Sequence, residues 1–223
     1  VHHPPQEGLI VEIVLCGQVL DIPDRYLENF ESETELRNQL WTVHPGDVVM
    51  DIGASLGIYT LPALALGAYV LAVDVLEMGP LRDMARDNKL DGALTVIQCA
   101  LGADDGYPGW LMDAVHHNDG NSYPGLADCV WSTVDNLAEE HDLDRLDWVK
   151  IDTEGGELPI LLGAAETLKR FHPKLLIEEH SHMPHVAAAG SGRLVRALLE
   201  SLGYGISVHP VENRELWFCE WSA

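Results

Sequence analysis

The 223-residue chain contains no apolar run near the roughly 20 residues that span a bilayer, so no transmembrane helix is expected. Its start, Val1-His2-His3-Pro4-Pro5, lacks a basic stretch leading into an apolar one. No signal peptide is read there, and a cytoplasmic location is the expectation. Positive charge is scarce: 13 Lys and Arg face 36 Asp and Glu, a net charge of −23. An enzyme of nucleic acid needs a basic footprint to displace counterions from phosphates, and none is present. Anionic membranes would likewise be repelled, so nucleic acid and membrane are excluded as partners. A neutral or cationic small acceptor fits that balance better. The four cysteines (Cys16, Cys99, Cys129, Cys219) lack any CxxC or Cys–His metal spacing and read as reduced, structural thiols.

Hydrophobic residues make up 47% of the chain, enough for one α/β domain. Residues 1–45 read as an N-terminal strand and helix extension: an apolar strand or hairpin over Leu9–Leu20, then a helix over Glu31–Val43. The strand either caps the fold or pairs with a second subunit in a homodimer. From residue 46 to 223, short apolar strands alternate with helices, the mark of a parallel α/β sheet. Strands are expected at 47–52, 69–75, 95–100, 146–152, 174–179, 204–209 and 215–221, making a seven-stranded, mostly parallel sheet whose last two strands form an antiparallel hairpin. Helices are expected over 58–66, 77–90, 158–170 and 193–202. The segment 102–130 is rich in Gly, Pro, Asp and Asn without periodicity, and reads as an acceptor-binding loop.

The first strand runs into Asp51-Ile52-Gly53-Ala54-Ser55-Leu56-Gly57. Gly53 and Gly57 let backbone approach a ligand at a strand's carboxyl end. The spacing is not the G-x-G-x-x-G of a dinucleotide site, and Asp51 would set negative charge beside phosphates. An acid there suits a ligand with an ammonium group, which favours S-adenosylmethionine (SAM). The next strand ends in Asp74, placed to accept both ribose hydroxyls of a nucleoside. In Trp148-Val149-Lys150-Ile151-Asp152-Thr153-Glu154-Gly155-Gly156-Glu157, alternation sets Lys150, Asp152 and Glu154 on one face. In Leu175-Leu176-Ile177-Glu178-Glu179-His180, Glu178 and His180 share a face. Parallel strands gather their carboxyl ends, so Asp152, Glu154, Glu178 and His180 are expected around one pocket.

The runs DIGASLG, ALG (100–102), STVD (132–135), WVKIDTEGGE and PKLLIEEH resemble the FkbM family of SAM-dependent methyltransferases over roughly 47–182. That resemblance implies a Rossmann-like class I methyltransferase fold with helices on both faces of the sheet. It also implies methylation of a hydroxyl on a sugar or natural product. Asp51, Gly53, Ala54 and Gly57 would lie beside the methionine end of SAM, Asp74 on the ribose, and Ala100 and Leu101 near the adenine, with Asn88 and Cys99 as weaker candidates. The chain departs from the family at Asp74-Val75, where Glu-Pro is common.

Methyl transfer to an alcohol needs an aligned acceptor and a group that takes its proton. His180 is the first candidate base, with Asp152 or Glu154 as alternative base or orienting partner. Alternatively, Asp152 and Glu178 hold Mg²⁺, which acidifies the hydroxyl. His117, Trp110 and Tyr123 of the 102–130 loop are the acceptor candidates, the aromatics by stacking on a saccharide ring; His116 and Asp119 stand beside them. Two rival readings share the fold: an NAD-linked oxidoreductase, and a non-catalytic SAM-binding domain.

Overall fold

The computed structural model describes residues 9–104, 129–183, 191–211 and 214–222. The chain opens with a hairpin, β1 (Ile10–Leu15) and β2 (Gln18–Pro23), closed by Cys16 and Gly17, which both take positive φ (49° and 76°). Two such residues match the right-handed twist of paired strands. The helix expected over 31–43 is instead two, α1 (Leu27–Glu31) and α2 (Thr34–Leu40), because Glu33 between them sits in the left-handed region at φ 55°.

Then come β3 (Val48–Ile52), α3 (Thr60–Ala65), β4 (Tyr69–Asp74), α4 (Gly79–Asp87), β5 (Leu94–Gln98) and the short β6 (Ala100–Leu101). After them follow β7 (Trp131–Ser132), α5 (Val134–Glu140), β8 (Trp148–Ile151), α6 (Glu157–Leu162), α7 (Ala165–Phe171), β9 (Lys174–Glu179), α8 (Ser191–Ser201), β10 (Tyr204–Val211) and β11 (Arg214–Trp221). Helix α5 was not foreseen; Thr133 caps it, its side chain accepting the Asn136 N–H at 2.9 Å. The single helix expected over 158–170 divides at Gly163, where a Cβ would lie 2.0 Å from the Gly102 carbonyl oxygen.

The main sheet runs β10-β11-β9-β8-β3-β4-β5. Its five central and outer strands β9, β8, β3, β4 and β5 are parallel, and β11 and β10 are antiparallel, as expected from the sequence. Successive residues point to opposite faces, so the sheet buries two cores. Val49, Val70, Ala72, Trp148, Leu176 and Leu216 pack under the N-terminal hairpin and α1–α4. Met50, Leu71, Val149, Ile151, Leu175, Ile177 and Trp217 pack under α5–α8.

The N-terminal segment is fastened to the first of these faces. Arg37, fully buried, donates to the carbonyls of Phe30 and Ser32 within its own segment and to Ile58 across from it. Among the described residues no helix is long and apolar enough to cross a membrane. The four cysteines are free, and burial pushes the Cys99 and Cys219 thiols up to about 12, as suits packing groups.

Candidate functional site

Period-two alternation gathers the polar residues. Asp51 shares the parity of Val49, Asp74 of Ala72, Lys150 and Asp152 of Trp148, and Glu178 and His180 of Leu176. All therefore reach the carboxyl edge on the face covered by the N-terminal segment. The expected convergence at the strand tips is what the fold delivers.

The turn after β3 is held by the tip of β4. The Gly53 and Ala54 N–H groups donate to Val73 O at 2.8 and 3.2 Å. The Asp74 carboxylate accepts the Ser55 N–H and the Leu76 N–H, both at 2.9 Å. Gly53 (φ 80°) and Gly57 (φ 83°) need glycine's freedom. A Cβ on Gly53 would lie 1.8 Å from Asp152 O, and one on Gly57 would lie 2.4 Å from Leu81 Cδ1. The glycine turn is thus wall to wall with the tip of β8. Asp51 is 2% exposed and accepts the Thr60 hydroxyl at 2.5 Å. Burial pushes its carboxyl up to about 6, against the Thr60 hydrogen bond and the Lys150 charge. Ala54, Ala100 and Leu101 are buried, and the Cys99 N–H ties the segment before β6 to Asp74 O at 3.0 Å.

On the β8–β9 side lies a charged cluster. His180 Nδ1 meets Glu157 Oε1 at 2.7 Å, both side chains nearly sealed from solvent. Its Nε2 lies 3.4 Å from Glu178, 3.7 Å from Asp152 and 3.9 Å from Glu154. Burial alone lowers the His180 pKa. The hydrogen bonds to Glu157 and Glu178, with the Glu157 and Asp152 charges, outweigh it and push the imidazole up to about 10. The raised pKa favours the protonated imidazole over the neutral one. Asp152 and Glu154 are the more exposed carboxylates of this cluster. Lys150 Nζ, buried, sits 3.4 Å from Asp152 and 4.8 Å from the Tyr59 ring centre. Arg214 Nε reaches Glu178 Oε1 at 2.7 Å, and the same guanidinium pairs with Glu33. Glu33, Asp152, Glu154, Glu157 and Glu178 thus outnumber Lys150, His180 and Arg214, which leaves the cluster short of positive charge. Asp152, Glu178 and His180 also each offer a ligand atom within 4.8 Å of the others.

The Asn88 side chain accepts the Asp21 N–H and donates to the carbonyls of Asp21 and Met84, tying α4 to β2. The acceptor candidates Trp110, His117 and Tyr123, with His116 and Asp119, lie outside the described residues. Reading the sequence missed Glu157, Glu33 and Arg214. Glu157 closes the WVKIDTEGGE run and was legible as part of it, whereas the Glu33–Arg214 pair spans a separation of 181 residues that no local pattern reveals.

Comparison with known proteins agrees with this architecture. Residues 131–206 match the methyltransferase FkbM domain. The chain is similar to the solved methyltransferase FkbM of Methylobacillus flagellatus at 18% identity and TM-score 0.55, over 82% of this chain and 46% of that one. It is similar to precorrin-6y C5,15-methyltransferase of Geobacter metallireducens at 14% identity and TM-score 0.55, over 88% and 92%. An O-methyltransferase of Bacillus cereus, solved with S-adenosylhomocysteine (SAH), gives 11% identity and TM-score 0.51 over 78% and 74%. Likeness at such identity shows the fold, a class I methyltransferase α/β sheet. The chain spans less than half the length of the Methylobacillus protein. No curated protein matches it significantly.

Proposed function

We propose that the chain, whose residues 131–206 match the methyltransferase FkbM domain, methylates a hydroxyl of a small molecule, foremost a saccharide or natural product, using SAM. The observation that supports this reading is the packing of Gly53 against Asp152 O, which joins a cofactor-type turn to a proton-handling cluster. The turn fits SAM. Asp51 offers a buried carboxylate to an ammonium group. Each Asp74 oxygen accepts one backbone N–H and keeps a second lone pair for a ribose hydroxyl. Ala100 and Leu101 supply apolar surface suited to an adenine. The deficit of positive charge around Asp152 and Glu178 favours a cationic ligand beside them.

Bound SAM supplies a methyl carbon activated by a sulfonium. The chain's own residues do the rest. Asp152 or Glu154 takes the acceptor's proton, and protonated His180, fixed by Glu157, orients those carboxylates and the hydroxyl by donating from Nε2. Trp110, His117 and Tyr123 are proposed for the acceptor. Calorimetry with SAM, SAH and NAD, followed by methyl transfer to a panel of hydroxylated acceptors, tests the proposal. SAM and SAH should bind and NAD should not. NAD binding alone would favour an oxidoreductase, and SAM binding without any product a silent binding domain.

A second reading has its own support in the spacing of Asp152, Glu178 and His180. Glu157 on Nδ1 presents Nε2 as a ligand, the arrangement that steadies metal-bound histidines. Two carboxylates and an imidazole suit Mn²⁺ or Zn²⁺ better than Mg²⁺, which prefers oxygen donors throughout. A metal there would acidify the acceptor hydroxyl. Thermal unfolding with each ion in turn, and again after chelation, checks this: no shift with any of the three would remove the metal.

A further inference from the structure

A pocket of about 460 Å³ opens at the same strand edge, on the opposite face of the sheet. It is lined by Arg193 and Arg196 of α8, by Arg214, Glu215 and Trp217 of β11, and by Glu179 of β9. Glu179 pairs with Glu215, and Ile177 with Trp217, across β9 and β11. Those side chains therefore face α8, whereas Glu178 faces the acid–histidine cluster. Arg214, at the tip of β11, serves both sides: it lines the pocket and its Nε holds Glu178.

This pocket concentrates guanidinium groups in an otherwise acidic molecule. The chain has nine arginines and a net charge of −23, yet three of the nine line this pocket; Arg214 is held by Glu33 and Glu178, which leaves Arg193 and Arg196 for a ligand. The two acids of the pocket are held by neutral donors, which turn their oxygens towards the protein. Glu179 accepts the backbone N–H and the hydroxyl of Ser181, and lies against the amino end of α8, where a Cβ on Gly192 would sit 2.5 Å from its Oε1. Glu215 accepts the Trp217 indole N–H at 2.8 Å. Arg196 Cζ lies over the Trp217 ring, 4.8 Å from its centre, and its 3.8 Å contact with Glu200 is a solvent-facing pair of little strength. Arg193, one helical turn before it on the same face, has no ion pair among the described residues.

We propose that this pocket binds the anionic group, carboxylate or phosphate, of the acceptor whose hydroxyl is methylated. The proposal rests on the methyltransferase reading and deepens it by naming the acceptor as an acid. Overall negative charge does not forbid this. Beyond about 8 Å at physiological salt the distant carboxylates are screened, while guanidinium groups in contact act in full. The neutral or cationic acceptor suggested by net charge alone is thereby replaced by a small anion, and long polyanions remain disfavoured.

The test is direct binding by ligand-observed NMR to the full chain, with and without SAH, using glucuronate, glucose 6-phosphate and uncharged methyl glucoside as probes. At least one acid should bind saturably and the uncharged sugar at least about tenfold more weakly, the ratio expected from a lost charge-assisted hydrogen bond. Whichever acid binds more tightly identifies the anionic group. Arg193→Ala with Arg196→Ala should weaken the acid by about tenfold or more, and Arg193→Lys with Arg196→Lys should retain most of the affinity. Equal affinity for acid and neutral sugar, no saturable binding by either acid, or an acid affinity untouched in the folded alanine variant would each overturn the inference. SAH affinity measured on the same samples separates the two ideas: if SAH binds and the acids do not, only this pocket assignment falls. If SAH fails to bind, the methyltransferase reading falls with it.

Discussion

Replacing Asp51 with Asn removes a sealed negative charge and leaves an oxygen that still accepts the Thr60 hydroxyl. In the folded chain burial holds the carboxyl at about 6 instead of the ordinary 3.8. A carboxyl whose folded pKa is raised contributes stability below the unfolded value and loses it as pH rises through the folded one. At about 1.4 kcal/mol per pKa unit, ionised Asp51 at pH 7 costs the folded state on the order of 3 kcal/mol. Asp51→Asn should therefore unfold in urea at higher denaturant at pH 7, by about 1–3 kcal/mol after screening and relaxation are allowed for. The gain should shrink as pH falls from 7 towards 4 and vanish near the ordinary carboxyl value. SAH affinity should move the other way, falling about tenfold or more as the ammonium loses its charged partner. A variant less stable at pH 7, or one whose gain is the same at pH 4 and pH 7, would refute the claim that burial of charge sets the cost.

Asp74→Ala should weaken SAH binding about ten- to hundredfold, because the Ser55 and Leu76 N–H groups lose the carboxylate that shapes the turn and the ribose loses its acceptor; unchanged affinity by calorimetry would defeat the ribose assignment. Gly53→Ala should cost roughly 3 kcal/mol or more in urea unfolding, since the new methyl meets the Asp152 backbone, whereas Gly57→Ala should cost about 1–2 kcal/mol because it meets the movable end of Leu81. The reverse order would contradict the close approach of β3 and β8. Glu157→Gln should bring the His180 titration down from about 10, as followed by NMR of the imidazole. In the wild type the His180 contribution to stability is present below pH 6.5 and fades as pH climbs through about 10, and this slope should flatten in the variant.

The strands were legible in the sequence because each is a short apolar run with period-two alternation, and that same alternation put Asp152 with Lys150 and His180 with Glu178. The glycine turn was legible because Gly53 and Gly57 follow an apolar strand at a spacing that serves close backbone approach. Helix limits were less so. Glu33 breaks one expected helix and Gly163 another, and in each case the break serves a distant partner, Arg214 for the first and the Gly102 carbonyl for the second.

What the sequence determined by itself was local: which segments alternate, which strand tips carry acids, and which turn admits only glycine. The raised His180 pKa, the raised Asp51 carboxyl and the gathering of three arginines around the Trp217 pocket came from tertiary structure alone. Burial and charge contacts depend on distances between residues far apart in the chain, and no periodicity in the sequence encodes them.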